Sequence, residues 1–247
     1  MTKNILGTRV DPTSYESATT QVLKWAQQRE SRYVCVANVH TVMEAYDSPE
    51  FQGVVNAADL VTPDGIPLVW ILRCRGHPQQ ARVYGPELTI KIIEAVAMQQ
   101  IAVGFYGSST KTLEQLIAVF KEKYPNLKIA YHHSPPFRPL TVEEDQAVIR
   151  AVNASGIEIL FVGLGCPKQE RWMAAHRGKI QAVMLGVGAA FDFHSGAKRQ
   201  APLWMQRSGL EWLFRFSQEP TRLWRRYLVQ NPRFVILILM RLLSRRM

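Results

Sequence analysis

Over most of the chain, short runs of β-branched and aromatic residues alternate with stretches whose apolar positions recur every three or four residues, the signature of α/β layering. The apolar runs Tyr33–Ala37, Asp59–Thr62, Ile101–Tyr106, Lys128–His132, Ile157–Val162 and Ala182–Val187 predict strands, with helices between them. Thr13-x-x-Glu16 and Thr141-x-x-Glu144 read as capping boxes opening helices that run to about Gln28 and Asn153. Pro86-Glu87, followed by Leu88, Ile92, Ile93 and Val96, opens another, because proline is tolerated in a first helical turn. No internal repeat or low-complexity linker interrupts this pattern. It predicts one Rossmann-like α/β domain over residues 1–196, a mostly parallel sheet flanked by helices.

The pattern changes over residues 197–247. Between Pro202 and Arg246 there is no strand signal, and Trp204, Trp212, Phe214, Phe216, Trp224 and Tyr227 are interleaved with arginines. On one continuous helix, Arg215, Arg222, Arg225 and Arg226 would share a face, with aromatic residues covering the other side. Such an element suits an anionic headgroup layer, a nucleic acid, or a packing helix with a solvated basic face. The longest unbroken apolar run, Phe234–Met240, is far below the roughly 20 residues of a membrane-spanning helix. The chain start lacks the apolar stretch of a secretory signal.

Charge sharpens this division. The 247 residues carry a formal net charge of +10, with 30 Lys+Arg against 20 Asp+Glu. From Lys198 onward there are eleven basic residues and two acids, Glu211 and Glu219, which leaves 19 basic and 18 acidic residues in the nearly neutral part before it. With 47% hydrophobic residues, a mainly disordered chain is excluded. The three cysteines, Cys35, Cys74 and Cys166, are far apart and form no C-x-x-C pair, which argues against a disulfide framework or a zinc site and for a reducing compartment.

Candidate chemistry sits at predicted strand ends. Phe161-Val-Gly-Leu-Gly-Cys-Pro-Lys-Gln-Glu170 runs a strand into Gly163-x-Gly165 and then a helix carrying Gln169, an arrangement that brings backbone N–H groups to a phosphate. Lys168 stands where a dinucleotide fingerprint needs its third glycine, which weighs against a nucleotide-binding oxidoreductase. Gly186-Val-Gly188 and the weaker Gly104-Phe-Tyr-Gly-Ser-Ser109 repeat the arrangement. His194, nearby, reads as a packed histidine rather than a catalyst. Asp64, in Thr62-Pro-Asp-Gly65, is either ordinary turn chemistry or a lone carboxylate on the ligand-binding edge, able to take a proton from a hydroxyl. Asn38 and Arg82 are placed to converge on the same edge. There is no Asp-x-Asp pair, Gly-x-Ser-x-Gly elbow or P-loop, so no metal site or cofactor is expected and a bound diphosphate would be met by arginines and backbone amides.

Taken in order, Asn38 with its following helix, Ala58–Pro67, Arg82-Val-Tyr-Gly85, Phe161–Glu170, Gly186–Asp192 with Gly196, and Gly209-Leu-Glu-Trp-Leu-Phe-Arg215 resemble the WecG/TagA/CpsF family, glycosyltransferase family 26, over nearly the whole chain. The resemblance implies an inverting transferase that moves a sugar from a nucleotide diphosphate, usually UDP, to a polyprenyl-diphosphate-linked saccharide at the inner face of the cytoplasmic membrane. It implies Asp64 as base, Arg82 and Gln169 as pocket residues, and Arg215, Arg222 and Arg225 as basic residues of a C-terminal, membrane-associating appendage. It favours an anionic membrane surface over nucleic acid as the partner of residues 197–247, and leaves room for an oligomer. Some family members have threonine where this chain has Val36, which bears on sugar specificity.

Overall fold

The computed structural model describes residues 4–243. A small antiparallel hairpin, β1 (Asn4–Ile5) and β2 (Thr8–Arg9), precedes six parallel strands: β3 (Arg32–Ala37), β4 (Leu60–Pro63), β5 (Val103–Gly107), β6 (Ile129–His133), β7 (Ile159–Gly163) and β8 (Val183–Gly186). These form one sheet in the order β4-β3-β8-β7-β5-β6. All six predicted strands are present, shifted by one or two residues at their ends; the two-residue strands of the hairpin are too short to give a periodic signal. The chain first builds outward from β3 to β4 and then crosses to β5 on the far side, leaving β7 and β8 to fill the middle. Reversals of this kind open a crevice at the carboxyl ends of the strands.

The strand sequences are apolar on both faces because both faces are covered. Tyr33, Cys35, Ala37, Leu160, Val162 and Met184 point to one side and pack with residues of α2 (Val39–Asp47), α3 (Pro49–Asn56), α4 (Ile66–Cys74), α7 (Val142–Ala154) and α8 (Lys168–His176). Val34, Val36, Phe105, Phe161, Val183 and Leu185 point to the other, toward α1 (Tyr15–Gln27), α5 (Gly85–Gln99), α6 (Thr110–Lys123) and α9 (Ala190–His194). Thr141 caps α7 in the expected box, with Glu144 bonding back to the Thr141 N–H. The first helix departs from expectation. The Thr13 N–H is tied to the Gln80 side chain, and the cap passes to Ser14, whose hydroxyl accepts from Ser17 N–H.

Residues beyond Pro202 form α10 (Leu203–Arg207), α11 (Glu211–Gln218), α12 (Pro220–Trp224), a π-helical turn at Arg225–Gln230, and α13 (Asn231–Leu243). The single helix expected for Arg215 to Arg226 is therefore broken: Pro220 cannot continue α11, and the winding widens after Trp224. Leu223, Tyr227 and Phe234 are buried, and Phe234 joins the core beside Val39 and Val42. Burial of one such side chain contributes about 1.5–3 kcal/mol. His40 Nδ1–H bonded to Gln230 Oε1 (2.8 Å), with Gln230 Nε2 donating to Glu44, fastens the π-turn to α2. Among the described residues no helix is long and apolar enough to cross a membrane.

Candidate active site

Two cavities meet over the carboxyl edge of the sheet. One, of 820 Å³, is lined by the ends of β3, β5, β7 and β8 and has a largely polar wall; the other, of 590 Å³, lies between α4 and the tail helices and is mostly apolar. Asn38, His40, Asp64, Arg215 and Arg226 line both. Asp64 thus sits where the two spaces join.

Its position follows from backbone bonds at the strand ends. Asp64 N–H donates to Ala37 O at 2.8 Å, and Val83 N–H donates to Pro63 O at 2.9 Å, which brings Arg82 alongside. Arg82 donates through Nη2 to Asp64 Oδ1 (2.9 Å) and through Nε to the Asp64 carbonyl, and its guanidinium lies 3.9 Å from the centre of the Tyr84 ring. The opposite edge of Arg82 meets Glu211 Oε2 at 2.7 Å, and Tyr84 donates to Glu211 Oε1 at 3.2 Å. Burial pushes the Asp64 carboxyl above its ordinary value, Arg82 pulls it back, and Glu211 pushes it up again.

The other expected residues are distributed as follows. Asn38 caps α2, its Oδ1 accepting from His40 and Thr41 N–H, so its amide nitrogen is the part free to meet a ligand. Gly163, Gly165, Gln169, Gly186 and Gly188 line the polar cavity. A side chain on Gly163 would strike the Phe191 ring at 2.7 Å, so its glycine is required by packing beneath the site; Gly165 has φ +79°, where glycine is favoured. Gln169 is buried and already bonded, accepting from Gly165 N–H (3.1 Å) and donating to Glu170 (2.9 Å), so it shapes the loop. Glu170 is fully buried, and burial raises its pKa. Arg82 faces only the apolar cavity, and Val36 lies in the wall of the polar one. His194 bonds to the Pro86 carbonyl and packs on Phe120.

Arg215, Arg222 and Arg225 all face the polar cavity despite the broken helix, and Arg226 joins them. The two acids of the tail are engaged: Glu211 by Arg82, Glu219 by Lys198 and Arg222. Among the described residues, Arg215, Arg225 and Arg226 pair with no carboxylate and lie instead by the rings of Phe193, Trp224 and Tyr227. Arg226 is the most enclosed, its pKa lowered by burial and then by the Arg215 charge. Sequence reasoning missed Glu211, Tyr84 and Arg226 as site residues. Glu211 carried a signal, an acid in a segment otherwise almost wholly basic.

At one crevice on the carboxyl edge of a parallel sheet, the structure brings together a strand-end carboxylate, glycine loops and arginines without carboxylate partners. Residues 3–247 match the family described as the glycosyl transferase WecG/TagA/CpsF family, and the chain belongs to it. An enzyme of Bacillus spizizenii named N-acetylglucosaminyldiphosphoundecaprenol N-acetyl-beta-D-mannosaminyltransferase is 31% identical over 216 residues, 87% of this chain and 81% of that relative. Proteins with the same name from Bacillus subtilis strain 168 and Staphylococcus aureus strain MW2 are each 26% identical, over 87% and 81% of this chain and 82% and 77% of their own lengths. Family membership makes the protein a glycosyltransferase and sets aside the oxidoreductase reading.

Proposed function

We propose that the protein transfers a sugar, N-acetylmannosamine or a hexose, from a UDP-sugar to a polyprenyl-diphosphate-linked saccharide, with inversion, in the synthesis of a cell-surface polysaccharide. The observation that carries this reading is the joining of a polar, arginine-walled cavity to an apolar one at a single carboxylate, Asp64. The polar cavity suits a nucleotide diphosphate: Arg215, Arg225 and Arg226 lack carboxylate partners and are placed to take its charge as the bond to the sugar breaks. The apolar cavity suits the acceptor, whose hydroxyl would meet Asp64 from the side opposite the leaving UDP. Asp64 removes the hydroxyl proton as the oxygen attacks the anomeric carbon.

Residues 197–247 act as an appendage that closes over the diphosphate and rests on the anionic inner face of the membrane. In α13, Val235, Ile236, Leu239, Met240, Leu242 and Leu243 are exposed while Phe234 is buried, so an apolar face remains after the helix has packed. This face, with arginines nearby, suits a headgroup layer. A panel of UDP-sugars with N-acetylglucosaminyl-diphosphoprenol as acceptor, scored by UDP release and by the anomeric coupling of the product, tests the proposal. UDP release that needs both substrates, with a product of opposite anomeric configuration to the donor, is expected. Absence of release from every donor, or a retained configuration, rules the reading out.

A further inference from the structure

Glu211 is a conspicuous residue: an acid drawn inward from a tail that holds eleven basic residues and only one other acid. It is buried: Oε1 accepts from the Tyr84 hydroxyl (3.2 Å), while Oε2 lies 2.7 Å from Arg82 Nη1 as an ion pair and accepts no hydrogen bond. Arg82 in turn holds Asp64, so three groups form a chain: Asp64, Arg82, Glu211. Two carboxylates share one guanidinium, and all three side chains are at most 17% exposed, where charges act on each other with little screening.

A lone arginine against a carboxylate makes it a weaker base, because the neighbouring cation favours the ionised form, by about 1–3 pK units. A base that must take a proton from a sugar hydroxyl is hindered by that effect. A second carboxylate on the far edge of the same guanidinium opposes it in two ways: it draws on the same positive charge and it repels charge on Asp64. We infer that Glu211 is a positioning residue for glycosyl transfer, reaching in from α11 to hold Arg82 in its bridging orientation and to preserve the basicity of Asp64. The catalytic centre is then complete only when the tail is docked, since Asp64 and Arg82 come from the sheet edge and Glu211 does not. The other groups that face Asp64 are Tyr15 from α1, His40 from α2, Tyr84 from the segment before α5, Arg215 from α11 and Arg226 from the π-turn. Glu211 is the only other carboxylate in this set, and its negative charge favours the protonated form of Asp64.

The inference rests on Asp64 being the base, and the test separates the two. Full-length wild type, Glu211→Gln, Glu211→Asp and Asp64→Asn are assayed with UDP-N-acetylmannosamine and a short-chain N-acetylglucosaminyl-diphosphoprenol across the acid side of the pH–rate profile. Glu211→Gln keeps an acceptor for Arg82 and Tyr84 but removes the charge. Its acidic limb is expected to move about one pH unit lower, with kcat down about three- to tenfold on the plateau. A role confined to packing lowers activity without moving the limb, so a limb at the wild-type pH overturns the inference whatever the rate. If Glu211→Gln does not fold, Glu211→Asp, with its carboxylate drawn back from Arg82, is expected to show a smaller shift in the same direction, and an unmoved limb there overturns it equally. An active Asp64→Asn enzyme removes the base reading and this inference with it; an inactive one beside an unmoved limb removes the role of Glu211 alone.

Discussion

The α/β body and the helices that follow it treat charge in opposite ways. In the body, arginines are matched locally: Arg32 with Glu30 and Asp59, Arg177 with Asp59, Arg9 with Asp11, Arg138 with Glu144. Such pairs fasten loops to strand ends and leave the surface nearly neutral. In the tail, Arg215, Arg225 and Arg226 rest on aromatic rings and face a cavity, and the two acids are engaged elsewhere. Arg215 and Arg226 are half-buried and Arg225 is exposed; a partly buried cation without a carboxylate is costly unless an anion arrives. The difference teaches that the positive excess is a local feature, and that four of its arginines, Arg215, Arg222, Arg225 and Arg226, line one cavity.

The strongest way to break this comparison is to remove the body's contribution to chemistry. Asp64→Asn should lower turnover by about 10²- to 10⁴-fold, the usual worth of a general base, while titration with UDP shows donor binding largely retained. Because burial raises the Asp64 pKa, and the ionised form is the active one, wild-type activity should fall with decreasing pH at an acidic limb above the ordinary aspartate range. A limb at or below that range would remove Asp64 from the role. Next in size is the tail. Arg226→Met should weaken UDP binding by about 10- to 100-fold, the loss of a charge-assisted hydrogen bond to an ionised partner. Arg226→Lys should recover only part of it, since an ammonium does not reproduce the planar fork. Unchanged UDP affinity in Arg226→Met would mean that the tail arginines do not serve the diphosphate.

How far the sequence revealed this arrangement follows from the range of each signal. The six strands were legible because strand runs buried on both faces are nearly continuous in apolar residues, and the Thr141 box because capping is a contact over three residues. The position of Asp64 at a strand end was legible for the same local reason. What was not legible depends on distant residues. Glu211 meets Arg82 and Tyr84 across more than 120 positions, and no pattern in either segment announces the pairing. The arginines of the tail were placed on one helix because helical spacing fits them; Pro220 was the available signal that they are not, and they converge on one cavity through a break and a π-turn. For Gly163, the sequence suggested close approach of a ligand, whereas the Phe191 ring beneath it already demands the glycine.

Within the tail itself, α13 offers a subtler distinction, because its inner and outer faces are both apolar. The double substitution Ile236→Asp, Leu239→Asp changes two exposed positions and should leave the melting temperature close to wild type. It should reduce sedimentation with anionic liposomes by about 100-fold or more, taking roughly 1.5 kcal/mol for each side chain inserted into the interface. Phe234→Ala, one position from the outer face but buried in the core, should do the reverse, costing about 3 kcal/mol of stability. Equal liposome binding by the double variant and wild type would leave the outer face of α13 without its proposed contact.

The smallest effect belongs to the body's surface. Arg171 on α8 pairs with Glu50 on α3, and the Glu50 side chain is 75% exposed. An ion pair in that setting gains little, because water screens both charges and two long side chains must be held still; such pairs are worth about 0–1 kcal/mol. Glu50→Ala should therefore shift the unfolding midpoint by no more than about 2–4 °C and leave transfer rates unchanged. Neighbouring position matters here, since Arg171 directly follows Glu170, the buried carboxyl that orients Gln169. A marked loss of activity in Glu50→Ala would show that the α3–α8 contact steers the glycine loop, and that the body's matched charges, like the tail's unmatched ones, serve the site.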